Sequence, residues 1–266
     1  MRYLLTAAFL TLPLLAQHQP PTYRAGRVLD PIVIDGRLTE FTWAALPRVG
    51  AFTDIRKADQ SASATTEATV AWDDDNLYVA FSATDSLPWG TMYKRDSRIW
   101  EQEVVEVFLD PDGDGKNYPE LEVSPHNVVV DLLIPAPRAG LASAITWDIE
   151  GLRTAVSKHP YGWITEIAIP WSSLAGAGVV RKPDVGHKWR VGLYRIERPG
   201  GAPLGLEIAA LQEKLREAPQ DEKAAIRAEI EKLNLGAQFL AWAPTRVQNG
   251  FHDPERFGIV EFVLRP

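Results

Sequence analysis

The stretch from Ile99 to Tyr118, IWEQEVVEVFLDPDGDGKNY, constrains the fold more than any other part of the chain. Val104 to Leu109 is a short apolar run rich in strand formers and too short for a stable lone helix, which predicts a β-strand. The DPDGDG that follows reads as a turn. Gly113 and Gly115 can adopt backbone angles closed to other residues, and Asp side chains bond nearby amides. A second strand is expected near Leu121 to Val123. The pair forms a hairpin with an acidic tip, around which the other elements can be layered.

The remaining segments repeat this pattern. Glu67 to Asp85 predicts a hairpin: Val70 and Trp72 lead to a turn at Asp73–Asn76, and Leu77, Val79 and Phe81 then alternate with Tyr78, Ala80 and Ser82. Strands are also expected at Pro31–Leu38 with a turn at Asp35–Gly36, and at Val128–Ile134, Leu152–Val156, Trp163–Ile169, Trp189–Glu197 and Phe257–Leu264. Glu40–Ala45 predicts a helical turn carrying Trp43 inward. Many short strands separated by Gly, Pro, Asn and Asp predict an all-β chain, an antiparallel two-sheet β-sandwich of jelly-roll or immunoglobulin-like type. One segment departs from this. Residues 205–235 are rich in Ala, Glu, Lys and Leu, with apolar stripes at Ile208, Leu211 and Leu215 and at Ile226, Ile230 and Leu233. Pro219 between them predicts two short helices, a helical insertion near the C-terminus.

Charge and the first residues narrow the function classes. Phosphate backbones demand clustered Lys and Arg, and this chain has net charge −7 and no extended basic run, which excludes nucleic acid as the expected partner. The N-terminus, MRYLLTAAFLTLPLLAQHQP, has one Arg, then an apolar run from Tyr3 to Leu15, then Ala16. This layout predicts a signal peptide over residues 1–16, too short to span a bilayer, and a secreted or periplasmic domain over 17–266. With no cysteine, neither disulfides nor thiolate metal sites are available.

Nine tryptophans are numerous for 266 residues. Trp43, Trp72, Trp163 and Trp189 sit in strand-like or amphipathic settings and are expected in the core. Trp89, Trp100, Trp147 and Trp242 fall in or beside loops or at strand ends. A sugar ring offers an axial C–H face to an aromatic plane and hydroxyls to carboxylates, amides and Arg. Loop tryptophans interleaved with Arg95, Arg98, Glu101, Glu103, Asn117 and Glu120 match that chemistry. Arg95 lies in the long irregular segment Ser86–Arg98, of the kind that carries binding residues.

Other chemistries fit less well. An EF-hand loop begun at Asp110 would place Leu121, not Glu, at its twelfth position, which excludes an EF-hand. Asp110, Asp112 and Asp114 read either as a solvated hairpin turn or as a looser calcium site of oxygen ligands. Glu103 and Glu106 point to opposite faces of a strand, and Glu101 and Glu103 stand side by side, so neither pair brackets a glycosidic bond. There is no GxSxG, and the histidines lack metal-ligand spacing. No enzyme activity is expected.

Five blocks occurring in order, IDGRLTEFTW, TVAWDDDNLYVAFSATD, WEQEVVEVFLDPDGDGKNYPELEVSP, GWITEIAIPWSSL and FHDPERFGIVEF, resemble the carbohydrate-binding module family 9-like proteins of the DOMON-like group of sandwiches. The resemblance covers most of Pro31 to Phe262. It implies a β-sandwich that clasps a saccharide end between two tryptophans, with calcium as a structural ion, in the setting of polysaccharide degradation. Trp100, Glu103, Glu106, Asn117, Tyr118 and Glu120 fall in its central block. Trp89 or Trp100, paired with Trp242, is the expected clasp, with Arg95 beside it. The helices of 205–235 depart from the family pattern. Two other readings stand beside this one. One is a cell-envelope interaction module in which residues 205–235 engage a protein partner or a second copy. The other is a haem-binding electron-transfer domain with donors among Met92, His126 and His252.

Overall fold

The computed structural model describes residues 19–56, 64–137, 147–179, 181–246, 248 and 250–266. The expected signal peptide lies outside them. In chain order the elements are β1 (Thr22–Arg27), α1 (Phe41–Ala45), β2 (Thr53–Asp54), β3 (Thr66–Trp72), β4 (Asn76–Thr84), β5 (Val104–Asp110), β6 (Tyr118–Val123) and β7 (Val129–Ile134). They continue as β8 (Arg153–His159), β9 (Gly162–Pro170), β10 (Lys188–Glu197), α2 (Gly201–Glu217), α3 (Lys223–Leu233), β11 (Gln238–Ala241) and β12 (Gly258–Val263).

Period-2 patterning decides which way each strand faces. Val105, Val107 and Leu109 of β5 and Leu121 and Val123 of β6 turn one way. They meet Val70 and Trp72 of β3, Val79 and Phe81 of β4, and Ile167 and Ile169 of β9 in one buried core. The intervening residues of β5–β7 and β10 turn the other way and build a second cluster with Phe251 and Phe257, centred on Phe108, Tyr118 and Tyr194. A third cluster joins Tyr78, Ala80 and Ala168 to Trp43 and Leu46 of the α1 region.

The strands do not form two separate antiparallel sheets. They run as one curled, mixed sheet in the order β7-β6-β5-β10-β12-β1-β3-β4-β9-β8, with β11 and β2 branching from β10. β1 is parallel to both β12 and β3 and is the strand that joins the two halves. Small residues permit this seam: a Cβ on Gly26 would lie 2.5 Å from Leu46 Cδ2. The Trp72 indole N–H clamps it, donating to the carbonyls of Ala25 and Val263, each at 3.0 Å. TYRAGR lacks the alternation of large apolar residues by which other strands announce themselves, so β1 gave no sequence signal.

Pro31–Leu38 is not a strand. Its backbone is instead gathered by one buried carboxylate. Glu166 Oε2 accepts the N–H groups of Asp35, Gly36 and Arg37 at 3.0, 2.7 and 3.1 Å, and Oε1 accepts the Trp43 indole N–H at 2.8 Å. Gly36 has φ +81, and a Cβ there would meet Ser157 N at 2.9 Å.

The two helices occur as expected around Pro219, with α2 starting four residues before Gly205. Among the described residues, no helix is long and apolar enough to cross a membrane.

Candidate functional site

On the outward face of the β5–β6–β7–β10 half lies a cavity of about 360 Å³. Its floor follows from strand register. Glu106 of β5 pairs directly with Glu122 of β6, and Phe108 pairs with Glu120, so the three carboxyls and Phe108 share one face. The three carboxyls lie close enough that one oxygen from each falls within 4.8 Å of the others. All three residues are buried. Burial, reinforced by mutual repulsion at Glu106 and Glu122, pushes those two well above the ordinary carboxylate range; burial raises Glu120 to about 7. Glu120 Oε2 and Glu122 Oε2 have no hydrogen-bond partner.

The walls come from four places in the chain. A short turn at Ile99–Glu101 presents Trp100, with the Arg98 guanidinium 5.3 Å from its ring. Arg198, at the end of β10, donates to the carbonyls of Gln102 at 3.1 Å and Trp100 at 3.4 Å, fixing that turn. α2 leans in with Gln212, and Arg216 one turn on approaches Glu101 at 3.7 Å. The segment after β11 supplies Phe251, stacked on Tyr194 at 4.2 Å, and His252. His252 Nδ1 lies 2.9 Å from the Tyr118 hydroxyl and Nε2 lies 3.7 Å from Glu120 Oε2. Burial lowers the His252 pKa to about 4, so the ring is neutral at pH 7.

The structure gathers some of the sequence-predicted residues here and disperses others. Trp100, Glu106 and Glu120 line the cavity. Tyr118 sits beneath it, fully buried, holding His252. Trp89 is 4% exposed and covered by α2; its indole N–H donates to the Arg198 carbonyl at 2.9 Å. Trp242 is also 4% exposed, packed edge-on to Tyr23 in the main core with Gly258 against its ring. Neither presents an open face, which corrects the expectation of accessible loop tryptophans. Trp242 packs in the main core while Trp100 packs with the second cluster at the cavity and Trp89 against α2, so neither expected pair forms a clasp.

Glu103, one residue before β5, joins Asp85 and Glu197 around Arg195. Burial first, then repulsion from Glu197 and Asp85, raises Glu103 to about 9. Arg95 pairs with Asp131 and Asp148 rather than with the cavity. Asn117 is exposed at the hairpin tip with φ +48, and its N–H donates to the Pro135 carbonyl at 3.2 Å. At that tip Asp110, Asp112 and Asp114 each offer an oxygen within 4.8 Å of the others. The Asp110 carboxylate already accepts the N–H groups of Gly113 and Gly115 at 3.1 and 3.2 Å.

Sequence reasoning did not single out Glu122, Arg198, Gln212 or Phe251 for the site. The register of the hairpin could have found Glu122, since VVEVFLD paired with YPELEV puts Glu106, Glu120 and Glu122 on one face.

Residues 34–196, more than half of the chain, match the family described as "Carbohydrate family 9 binding domain-like". Among curated proteins, the exoglucanase XynX of Acetivibrio thermocellus is 29% identical over 154 residues, 58% of this chain and 13% of that protein. Endo-1,4-beta-xylanase A of Thermoanaerobacterium saccharolyticum is 30% identical over 142 residues, 53% of this chain and 11% of that protein. The chain thus spans about an eighth of the length of these relatives. Among solved structures, a carbohydrate binding module family 9 from Caldicellulosiruptor kristjanssonii in complex with cellotriose superposes with a TM-score of 0.57 at 17% identity, covering 93% of this chain and 95% of that one. The fold is therefore shared with that module. On the family match, this chain is a member of the carbohydrate family 9 binding domain-like proteins.

Proposed function

We propose that the cavity on the β5–β6–β7–β10 face holds a saccharide without transforming it. The observation that carries this reading is the pairing of Trp100 with the Glu106–Glu120–Glu122 floor: an aromatic plane for C–H faces beside acceptors for hydroxyls. Arg98 and Gln212 add donors at the rim. The carboxyls rise from one sheet face, so they meet a ligand from one side instead of flanking a bond as glycosidase acids do. The relatives' names, an exoglucanase and a xylanase, and the cellotriose of the solved neighbour favour β-linked glucan or xylan oligomers. Affinity is set at roughly micromolar to millimolar, since a small polar ligand surrenders its hydration on binding.

In this reading the helices of 205–235 serve first as a wall of the cavity through Gln212, rather than as a partner arm. A structural calcium ion at Asp110, Asp112 and Asp114 belongs to the same reading, as does export after removal of residues 1–16. The test is calorimetric titration with cello- and xylo-oligosaccharides of the wild type and of Trp100→Ala. A saturable isotherm lost in the folded variant supports the assignment; an isotherm unchanged by the substitution moves the site elsewhere.

A further inference from the structure

Four groups of three carboxylates lie close enough among the described residues to share an ion. Two already contain a cation: Arg195 pairs with Asp85 and Glu197, and Arg95 with Asp131 and Asp148. In the third, the hairpin tip, Asp112 and Asp114 are exposed and the Asp110 carboxylate is engaged by backbone N–H groups. The fourth, Glu106–Glu120–Glu122, is different. It is buried, and among the described residues no Arg or Lys forms an ion pair with any of its members. The base beside it is His252, whose Nε2 lies 3.7 Å from Glu120 Oε2.

Three acidic side chains with no counter-charge are costly to bury, and a bare carboxylate oxygen without a hydrogen bond is costlier still. Glu120 Oε2 and Glu122 Oε2 are such atoms, on residues 4% and 1% exposed at the floor of an open cavity. Gln212 Oε1, on the same cavity's wall, is also buried and unpartnered. Calcium takes roughly six to eight oxygens at about 2.3–2.6 Å, so oxygens up to about 5 Å apart can share one ion. The 4.8 Å limit within which the three Glu oxygens lie meets that condition.

We propose that Glu106, Glu120 and Glu122 bind a calcium ion at the cavity floor, whose remaining coordination positions face the cavity and take neighbouring hydroxyls of the saccharide. The second half rests on the saccharide reading above; the first does not. The ion supplies the missing positive charge and gives the unpartnered oxygens their bonds. It also makes a vicinal diol, a feature of most pyranose rings, the recognised group. This site is separate from the aspartates of the hairpin tip.

The test separates both loci and both claims. Terbium, which substitutes for calcium and is excited through a nearby indole, is titrated into the wild type, Glu122→Gln and the double variant Asp112→Asn/Asp114→Asn. Calcium competition confirms the site. Trp100 borders the floor, so the proposal expects sensitised emission that is lost, or weakened about tenfold or more, in Glu122→Gln and kept in the double variant. Glu120→Gln is the second variant should Glu122→Gln not fold. Emission unchanged in the folded Glu variants overturns the calcium site. Cellotriose is then titrated in calcium and in EDTA. Binding lost in EDTA supports the diol contact. Binding equal in both, with the terbium site present, overturns that contact and leaves the saccharide reading standing. A terbium site in a protein that binds no saccharide under either condition overturns the saccharide reading and leaves the ion standing.

Discussion

Gly205 of α2 lies flat against the Trp89 indole: a Cβ on Gly205 would sit 1.8 Å from Trp89 Cη2. Glycine is therefore required there by approach, not by backbone angle. This contact seats the helix that carries Gln212 to the cavity wall and Arg216 to Glu101. Gly205→Ala should push α2 off the indole, costing roughly 1–3 kcal/mol in stability. Thermal unfolding and the near-ultraviolet circular dichroism of Trp89 check it, and saccharide affinity should fall with the displaced wall.

Trp100 and Trp242 should behave oppositely. Trp100→Ala, at a half-buried cavity wall, is expected to leave stability within about 1 kcal/mol of wild type while abolishing saccharide binding. Trp242→Ala opens a hole in the main core and should cost roughly 3–5 kcal/mol. Chemical denaturation of both variants, read beside their saccharide titrations, decides the sorting.

Glu166 is the fastener of the Ile32–Arg37 loop. Glu166→Ala strands three backbone N–H groups and the Trp43 indole N–H, and each buried donor left unpaired costs about 1–3 kcal/mol where water cannot reach it. A loss of roughly 3 kcal/mol or more is expected in urea unfolding. Hydrogen exchange should localise the added opening to Asp35, Gly36 and Arg37.

Glu103 sets a pH dependence. Its folded pKa is raised from 4.5 to about 9, chiefly by burial, so the folded state favours its neutral form. The resulting stabilisation is complete below pH 4.5 and is lost as pH rises through 9. Glu197, raised by burial to about 7, acts in the same direction. The melting temperature should therefore fall between pH 5 and pH 9. Glu103→Gln, permanently neutral and able to donate to Glu197 or Asp85, should make that fall shallower.

Much of the fold was legible because alternation is a local signal. β3, β4, β5, β7, β9, β10 and β12 carry it, and the two helices announce themselves through Pro219 and their apolar stripes. β1 does not, since its job is to join two half-sheets through small residues, and one of its two partners, β12, lies at the far end of the chain. Pro31–Leu38 reads like a strand because Ile32 and Ile34 alternate. Three of its N–H groups, those of Asp35, Gly36 and Arg37, are satisfied by Glu166, 129 to 131 residues away, and no local pattern reports that. The site divides the same way. Glu106 and Glu120 follow from strand parity, but the exposure of a tryptophan depends on what covers it. For Trp89 that is Gly205, and for Trp242 it is Gly258 and Tyr23.

The most direct measurement of the central claim is a cellotriose titration, in calcium, of wild type and Trp100→Ala, followed by intrinsic tryptophan fluorescence. The account predicts a saturable change in the wild type and none in the variant, with melting temperatures within a few degrees of each other. A flat wild-type response in folded protein, or an undiminished response in Trp100→Ala, would contradict it.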